Sequence, residues 1–392
     1  MAKPITQVLL WNNTGTSSKD VTAYVKSVNI SRGRSRELDR FQPGTFNISF
    51  DNRARVFDPK YTSSPIYGFV TPKRMVQIIA GSQIQFQGYV QDWNFSYDVS
   101  GESIATANGA DAFSFLAQQT LGSNHYLLEL TGARLANVLT DPNVTWPFGG
   151  IYSIFDDGTR YCQEEYVTAG TNVLEYMQLV ERTEGGYFYI DRYGNLTFLD
   201  NKSTLGNSIV FQDQNLTTLN NIGYQGIDIA YGSELLYNIV TLSRLAGGTV
   251  TKSSAGSIST YGAATWSDSG LLYNTDTDLD NQARLTLGRY KVPEYRIDSV
   301  TVTLNPLSTT NQSNLLQYDI GYIAKVIFTP NHIGTAVGNN AGAFMNVRII
   351  GIDHQITVES HTVTYRFESL ENTQFILDSS SMGLLDLNVL GF

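Results

Sequence analysis

The chain is poor in cysteine and histidine. Cys162 is its only thiol in 392 residues, which rules out a disulfide framework or a thiolate metal site and leaves an ordinary core or surface thiol. The four histidines are His125, His332, His354 and His361. None stands in an HxxxH, HExxH or HxH spacing that aims two imidazoles at one metal. His354 and His361 flank a predicted turn and read as too far apart to share a ligand. No basic-then-apolar leader opens the chain, and no apolar run approaches ~18 residues, so neither a secretion signal nor a membrane helix is expected. GxSxG and P-loop patterns are missing. Charged residues are only 16% of the chain against 42% hydrophobic, the balance of a globular protein and not of a disordered one.

What is present favours strands. Aromatic and β-branched residues suit pleated, half-buried surfaces, and there are 23 Tyr and 19 Phe. The length allows two or three domains. The net charge of −10 is uneven, since the first 74 residues carry 12 Lys and Arg against 5 Asp and Glu. A mostly acidic protein is a poor binder of phosphate backbones, but it suits a passage that DNA crosses without sticking.

Alternation predicts strands at Val8–Trp11, Tyr24–Ile30, Phe46–Phe50, Val76–Ala80 and Ile84–Trp93, and a short helix over Asp111–Ala117. A helix is expected after Thr131 as N-cap, closed by Pro142. A second starts at Asn172 with Glu175 placed for a capping box, and stops at Gly185-Gly186. A hairpin through Tyr193-Gly194-Asn195 follows. Strands return at Ile227–Ala230 and Asn238–Ser243. The Ser/Thr/Gly-rich stretch 249–270 reads as a long exposed loop or mobile hairpin, and Gly334–Ala343 as a second flexible tip. A helix over Leu279–Tyr290 precedes strands at Ser299–Leu304, Ala324–Phe328, Met345–Asp353 and Thr362–Phe367.

The chain also resembles itself. Val76–Ala80, Gly88–Trp93, a turn near Gly101 and Ser103–Asn108 form one pattern. Ala324–Phe328, Gly351–His354, a turn near Ser360 and Val363–Phe367 form another. This predicts a duplicated β-barrel.

Several constellations invite a chemical reading. Asp276-Thr277-Asp278-Leu279-Asp280-Asn281 starts like a calcium loop, but Asn281 and Leu287 stand where Gly and Glu are required; helix capping explains the carboxylates better. Asp156-Asp157 and Glu164-Glu165 supply carboxylate pairs, yet nothing sets them across a cleft. Cys162 lacks the surroundings of a nucleophile motif. No enzyme, cofactor or metal is expected.

The densest feature is Ser31–Pro59. Arg32, Arg34, Arg36, Arg40, Arg53 and Arg55 fall within 24 residues, interleaved with Glu37, Asp39, Asp51 and Asp58. The plain alternative is a solvated strand face with ion pairs of ~0–1 kcal/mol each. The functional reading is a protein interface, where Arg forks set register against carboxylates. The interface candidates are Arg32, Arg34, Arg36, Glu37, Asp39, Arg40, Arg53 and Arg55.

SRGRSRELDRFQPGTFNISFDNRARVFDP (31–59) resembles the N-terminal segment of tail-tip minor tail proteins of long, non-contractile-tailed bacteriophages. NVLEYMQLVERTEGGYFYIDRYGNLTFLD (172–200), DNQARLTLGRYKVPEYRIDSVTV (280–302) and FILDSSSMGLLDLNVLGF (375–392) are similar to the same family, in the same order. The 249–270 stretch matches no pattern of that family. The resemblance implies a mainly β fold with α+β insertions, like the trimeric baseplate hub of contractile-tailed phages. Two tube-type β-barrels per chain would then give three chains a pseudo-sixfold ring. It places the first barrel at 1–120, an α+β domain at 121–207, and a second barrel at 208–378 interrupted at about 249–297. A docking segment at 379–392 ends the chain. The implied role is structural: a homotrimer in the virion tail tip, assembled in the host bacterial cytoplasm. Its partners would be a distal tail or tail tube ring, a tip spike or fibre and a tape-measure protein. Genomic DNA would pass through the lumen without specific binding. A hexameric distal tail protein, a receptor-binding tail adhesin and a cell-wall hydrolase are the alternatives.

Overall fold

The computed structural model describes residues 2–12, 14–146, 153–201, 205–213, 221–328 and 344–370. The expected tip Gly334–Ala343 and the expected docking segment 379–392 lie outside the described residues.

The first 110 residues form β1 (Thr6–Trp11), β2 (Ser18–Asp20), β3 (Val25–Gly33), β4 (Gln42–Asp51), β5 (Met75–Ala80), β6 (Gln83–Tyr97) and β7 (Ser103–Ala110). Side chains on a strand alternate between faces, and β4 shows why these segments pair. Phe46, Ile48 and Phe50 are buried while Asn47 and Ser49 between them are not. Apart from β2, which only borders β1, the spatial order is β1-β5-β6-β7-β4-β3, antiparallel throughout. Val8, Val28, Ile48, Ile78 and Phe86 meet in one core, so the sheet curls over its own apolar face.

A connecting region follows. It holds α1 (Phe113–Leu116), β8 (Asn124–Tyr126), β9 (Glu129–Leu130), α2 (Thr131–Val138), β10 (Ser153–Phe155), β11 (Tyr161–Cys162), β12 (Glu165–Val167), α3 (Val173–Glu184), β13 (Tyr187–Ile190) and β14 (Leu196–Leu199). Asn172 caps α3 as expected, its Oδ1 accepting from the Glu175 N–H at 3.1 Å, and Gly185 closes it at φ 72°. Thr131 differs from expectation. It is the first helical residue, with Leu130 in the cap position. Its hydroxyl instead donates to the buried Glu184 carboxylate at 2.8 Å, a tertiary partner that local spacing cannot reveal.

The remainder forms β15 (Leu205–Gln212), β16 (Asn221–Gly223), β17 (Gly226–Tyr231), β18 (Ile239–Arg244), β19 (Thr249–Ser253), α4 (Ala255–Tyr261), β20 (Thr265–Leu271), α5 (Asp276–Tyr290), β21 (Tyr295–Thr303), α6 (Thr309–Leu315), β22 (Tyr322–Ile327), β23 (Phe344–Thr357) and β24 (His361–Ser369). Here, apart from β16, which only borders β15, the spatial order is β15-β22-β23-β24-β21-β17. Counted along the chain, both six-stranded units read first, fourth, fifth, sixth, third, second. Each central hairpin even carries a bulge at the same place, at Gln91 in β6 and Ile350 in β23. One difference is that β15 runs parallel to β22, whereas β1 is antiparallel to β5.

The stretch 249–270 is not a loop. β18, β19 and β20 form their own three-stranded sheet, with α4 between β19 and β20. Val240, Leu242 and Leu271 pack there under Leu279 and Ala283 of α5. The polar composition misled because a thin sheet with one apolar face needs only alternate apolar residues. Asn238–Ser243 therefore belongs to this insertion and not to the second six-stranded unit. The insertion stands against α3, where the Leu272 N–H donates to Thr183 Oγ1 at 3.0 Å.

Candidate functional site

The two units meet strand to strand. β23 is long enough for two partners on one edge: Phe344–Arg348 pairs with β22, and Gly351–Thr357 pairs antiparallel with β3. The bulge at Ile350 separates these two halves. Gly33 and Gly351 face each other at the start of the joint. Gly33 holds φ +93°, and a Cβ there would lie 2.2 Å from the Ile350 carbonyl oxygen. Only glycine permits that backbone and that approach.

The arginine cluster wraps this joint. Arg32 is buried and donates to Asp319 Oδ1 at 2.7 Å. Arg34 donates to Glu368 Oε2 at 2.6 Å, with its guanidinium over the Phe41 and Tyr187 rings at 4.9 and 5.2 Å. Burial opposes ionisation of Glu368, yet Arg34, Arg289 and Arg348 together hold its carboxyl below the usual range. Glu37 pairs with Arg289 of α5, and the more exposed Arg36 pairs with Glu234 at 2.5 Å. Arg366 closes the set, donating to the Arg32 and Arg34 carbonyls at 2.9 and 3.2 Å and pairing with Asp353. Arg32, Arg34 and Glu37 thus spend their charges inside the chain.

The other candidates lie outward. Asp39 and Arg40 are exposed beside a depression of about 300 Å³ that Arg366 also lines. Arg53 grips Asp51 through two nitrogens and holds its carboxyl down to about 2. Arg55 pairs with Asp58 at 2.6 Å and lies over the Tyr61 ring. The partners Asp319 and Glu368 were not among the expected site residues. They sit 287 and 334 positions from Arg32 and Arg34, and no local pattern points to them.

The remaining chemical candidates are scattered. Burial pushes the Cys162 thiol up to about 12, which keeps it protonated. Asp156 accepts the Asp200 N–H, Glu164 contacts His125 at 2.7 Å, and Glu165 accepts from Tyr176 at 3.0 Å. Asp276 binds Arg244, and Asp280 binds Lys252 and Arg284. His354 and His361 do come together, with Nδ1 of the first 3.0 Å from Nε2 of the second. Diagonal cross-strand neighbours reach one another where sequence spacing suggests separation. Burial holds both imidazoles well below their ordinary range, His361 at about 3. Among the described residues, no three His, Cys, Asp or Glu side chains could hold a metal.

The fold that presents this joint is that of bacteriophage tail proteins. A tail protein from Neisseria meningitidis MC58 matches 93% of this chain and 96% of its own, at 12% identity and a TM-score of 0.61. The 43 kDa tail protein of prophage MuSo2 from Shewanella oneidensis matches 93% and 97%, at 15% identity and 0.58. The prophage tail protein gp18 from Listeria monocytogenes EGD-e matches 93% and 95%, at 11% identity and 0.51. No protein-family model and no curated protein matches the sequence. The likeness therefore resides in the backbone.

Proposed function

We propose that this protein is a structural hub of a phage tail tip. Three copies would place six similar β units in a ring, a pseudo-sixfold adaptor between a hexameric tail tube or distal tail ring and a threefold spike or fibre. One observation carries this reading: two six-stranded units of identical strand order lie side by side in one chain. Two similar units per subunit let threefold symmetry present six similar faces. The tail-protein fold and the four family-like segments support it.

The remaining roles follow from the same reading. The units are the two tube-type barrels, and their ring encloses the path of the genome, beside the tape-measure protein. A net charge of −10 would keep DNA from adhering to that passage. Arg36, Asp39, Arg40, Arg53 and Arg55 lie exposed where neighbouring rings would meet the chain, although Arg36, Arg53 and Arg55 already pair with carboxylates of their own chain. No catalytic role is assigned, and the protein would reside in the virion tail tip.

The solution mass of the full chain tests this reading. Three chains are expected, and a tail-tip reconstruction should show six similar units at this level. A ring of six chains would instead make this a hexameric distal tail protein and overturn the proposal.

A further inference from the structure

Among the described residues, the internal joint has an open counterpart. β6 corresponds to β23 by strand order, by its bulge and by register. In each pair the residue two places before the bulge, Tyr89 or Arg348, faces the fourth strand of its unit, at Met75 or Ile323. Beyond the bulge the two diverge. Gly351–Thr357 has β24 on one side and β3 on the other. Asp92–Tyr97 has β7 on one side and, among the described residues, no strand on the other. Backbone bonds from the chain before β5 reach that edge only as far as Val90, at Lys73 and Arg74, and beyond it the Trp93 side chain donates through Nε1 to the Thr71 carbonyl at 3.2 Å.

Among the described residues the complementary edge is open too. β17 corresponds to β3, and among the described residues it pairs with β21 alone. We propose that β17 of one copy adds antiparallel to the open half of β6 in the next, repeating between copies the joint that β3 and β23 make within one. This rests on the hub reading and names the strands that would close its ring.

The equivalence fixes the register. Asn29 lies opposite Asn47, and Asp228 opposite Ser299 at the same level of the second unit. Gln355 faces Asn29 in the internal joint, and its counterpart in β6 is Ser96. Ser96 therefore faces Asp228 of the next copy. Tyr97 then meets Ile227, Phe95 meets Ile229, and Trp93 meets Tyr231, all on one face. All six are half-buried or exposed, with Tyr97 58% and Tyr231 69% exposed. An open strand edge with apolar residues aligned along it is a pairing template that monomers cover or blunt. Each copy offers one edge and accepts one, a heterologous contact that closes into a ring.

The test is a disulfide in the full-length protein. Directly opposed residues of antiparallel strands lie within reach of one. Ser96→Cys combined with Asp228→Cys is expected to give covalent trimers on mild oxidation, and either substitution alone only single chains. Buried Cys162 does not compete. Asn29→Cys with Gln355→Cys closes within one chain and controls for the chemistry. If the control closes and the first pair does not, the joint is overturned whatever the solution mass. A linked hexamer would keep the joint and overturn the trimeric hub. Tyr97→Asp and Tyr231→Asp alter exposed residues, so the fold should survive. Each is expected to weaken self-association on the order of tenfold, and unchanged association would refute the register.

Discussion

The two six-stranded units differ in how their second and third strands are joined. In the first, β3 reaches β4 through a short link that holds Arg34, Arg36, Glu37 and Arg40. In the second, the link from β17 to β21 is a whole subdomain holding Glu234 and Arg289. These two links pair with each other, Arg36 to Glu234 and Glu37 to Arg289. The strand framework is therefore duplicated, while the same connection has diverged into complementary halves of one contact. Register is set by backbone and apolar pattern, and the connections are free to vary.

The comparison breaks most severely where charge is buried. Arg34→Ala leaves Glu368 without its nearest cation, and removing one partner of a buried pair costs about 3–5 kcal/mol. Chemical denaturation should show that loss, whereas Arg36→Ala, on an exposed pair in the same link, should cost about 0–1 kcal/mol. Equal losses would mean that the joint does not bury its charges.

Glycine gives the next contrast. Gly33→Ala forces a side chain into the joint at φ +93° and should cost about 2–3 kcal/mol. Gly101 has φ +96° in the β6–β7 turn, with nothing within 4 Å of a Cβ. Gly101→Ala should cost about 1 kcal/mol, from backbone strain alone. Thermal unfolding of both variants measures the difference.

The smallest effect concerns acid. The β23–β24 hairpin buries His354 and His361, where the corresponding positions of β6–β7 hold Phe95 and Ser103. Both imidazoles are held neutral in the fold, so the unfolded chain binds protons first as pH drops below about 6.5. Their contribution is present above that pH and is lost progressively toward about 3, the depressed value of His361. His361→Gln should flatten the pH dependence of unfolding between about 6 and 4. An unchanged slope would show that the pair does not titrate this way.

Much of the framework was legible in the sequence because alternation and capping are local. Phe46–Phe50 announces its buried face, and Asn172 with Glu175 announces the start of α3. The hairpin likeness between Gly88–Asn108 and Gly351–Phe367 pointed to the matching strand orders. It did not give their alignment, since the bulges set Gly351 against Asp92 and not against Gly88. The 249–270 sheet was missed because its apolar face is completed by α5 from outside the segment.

For the arginine cluster, the sequence by itself determined that unusual charge would gather on and beside strands of the first unit. It also determined that this charge would need carboxylate partners, since dense cations repel unless neutralised. Only the tertiary structure decided that Arg32, Arg34 and Glu37 find those partners within the chain, from Asp319, Glu368 and Arg289. The physical reason is distance along the chain. Strand pairing brings residues some 300 positions apart to within 3 Å, and nothing in a local window encodes which strand will lie alongside.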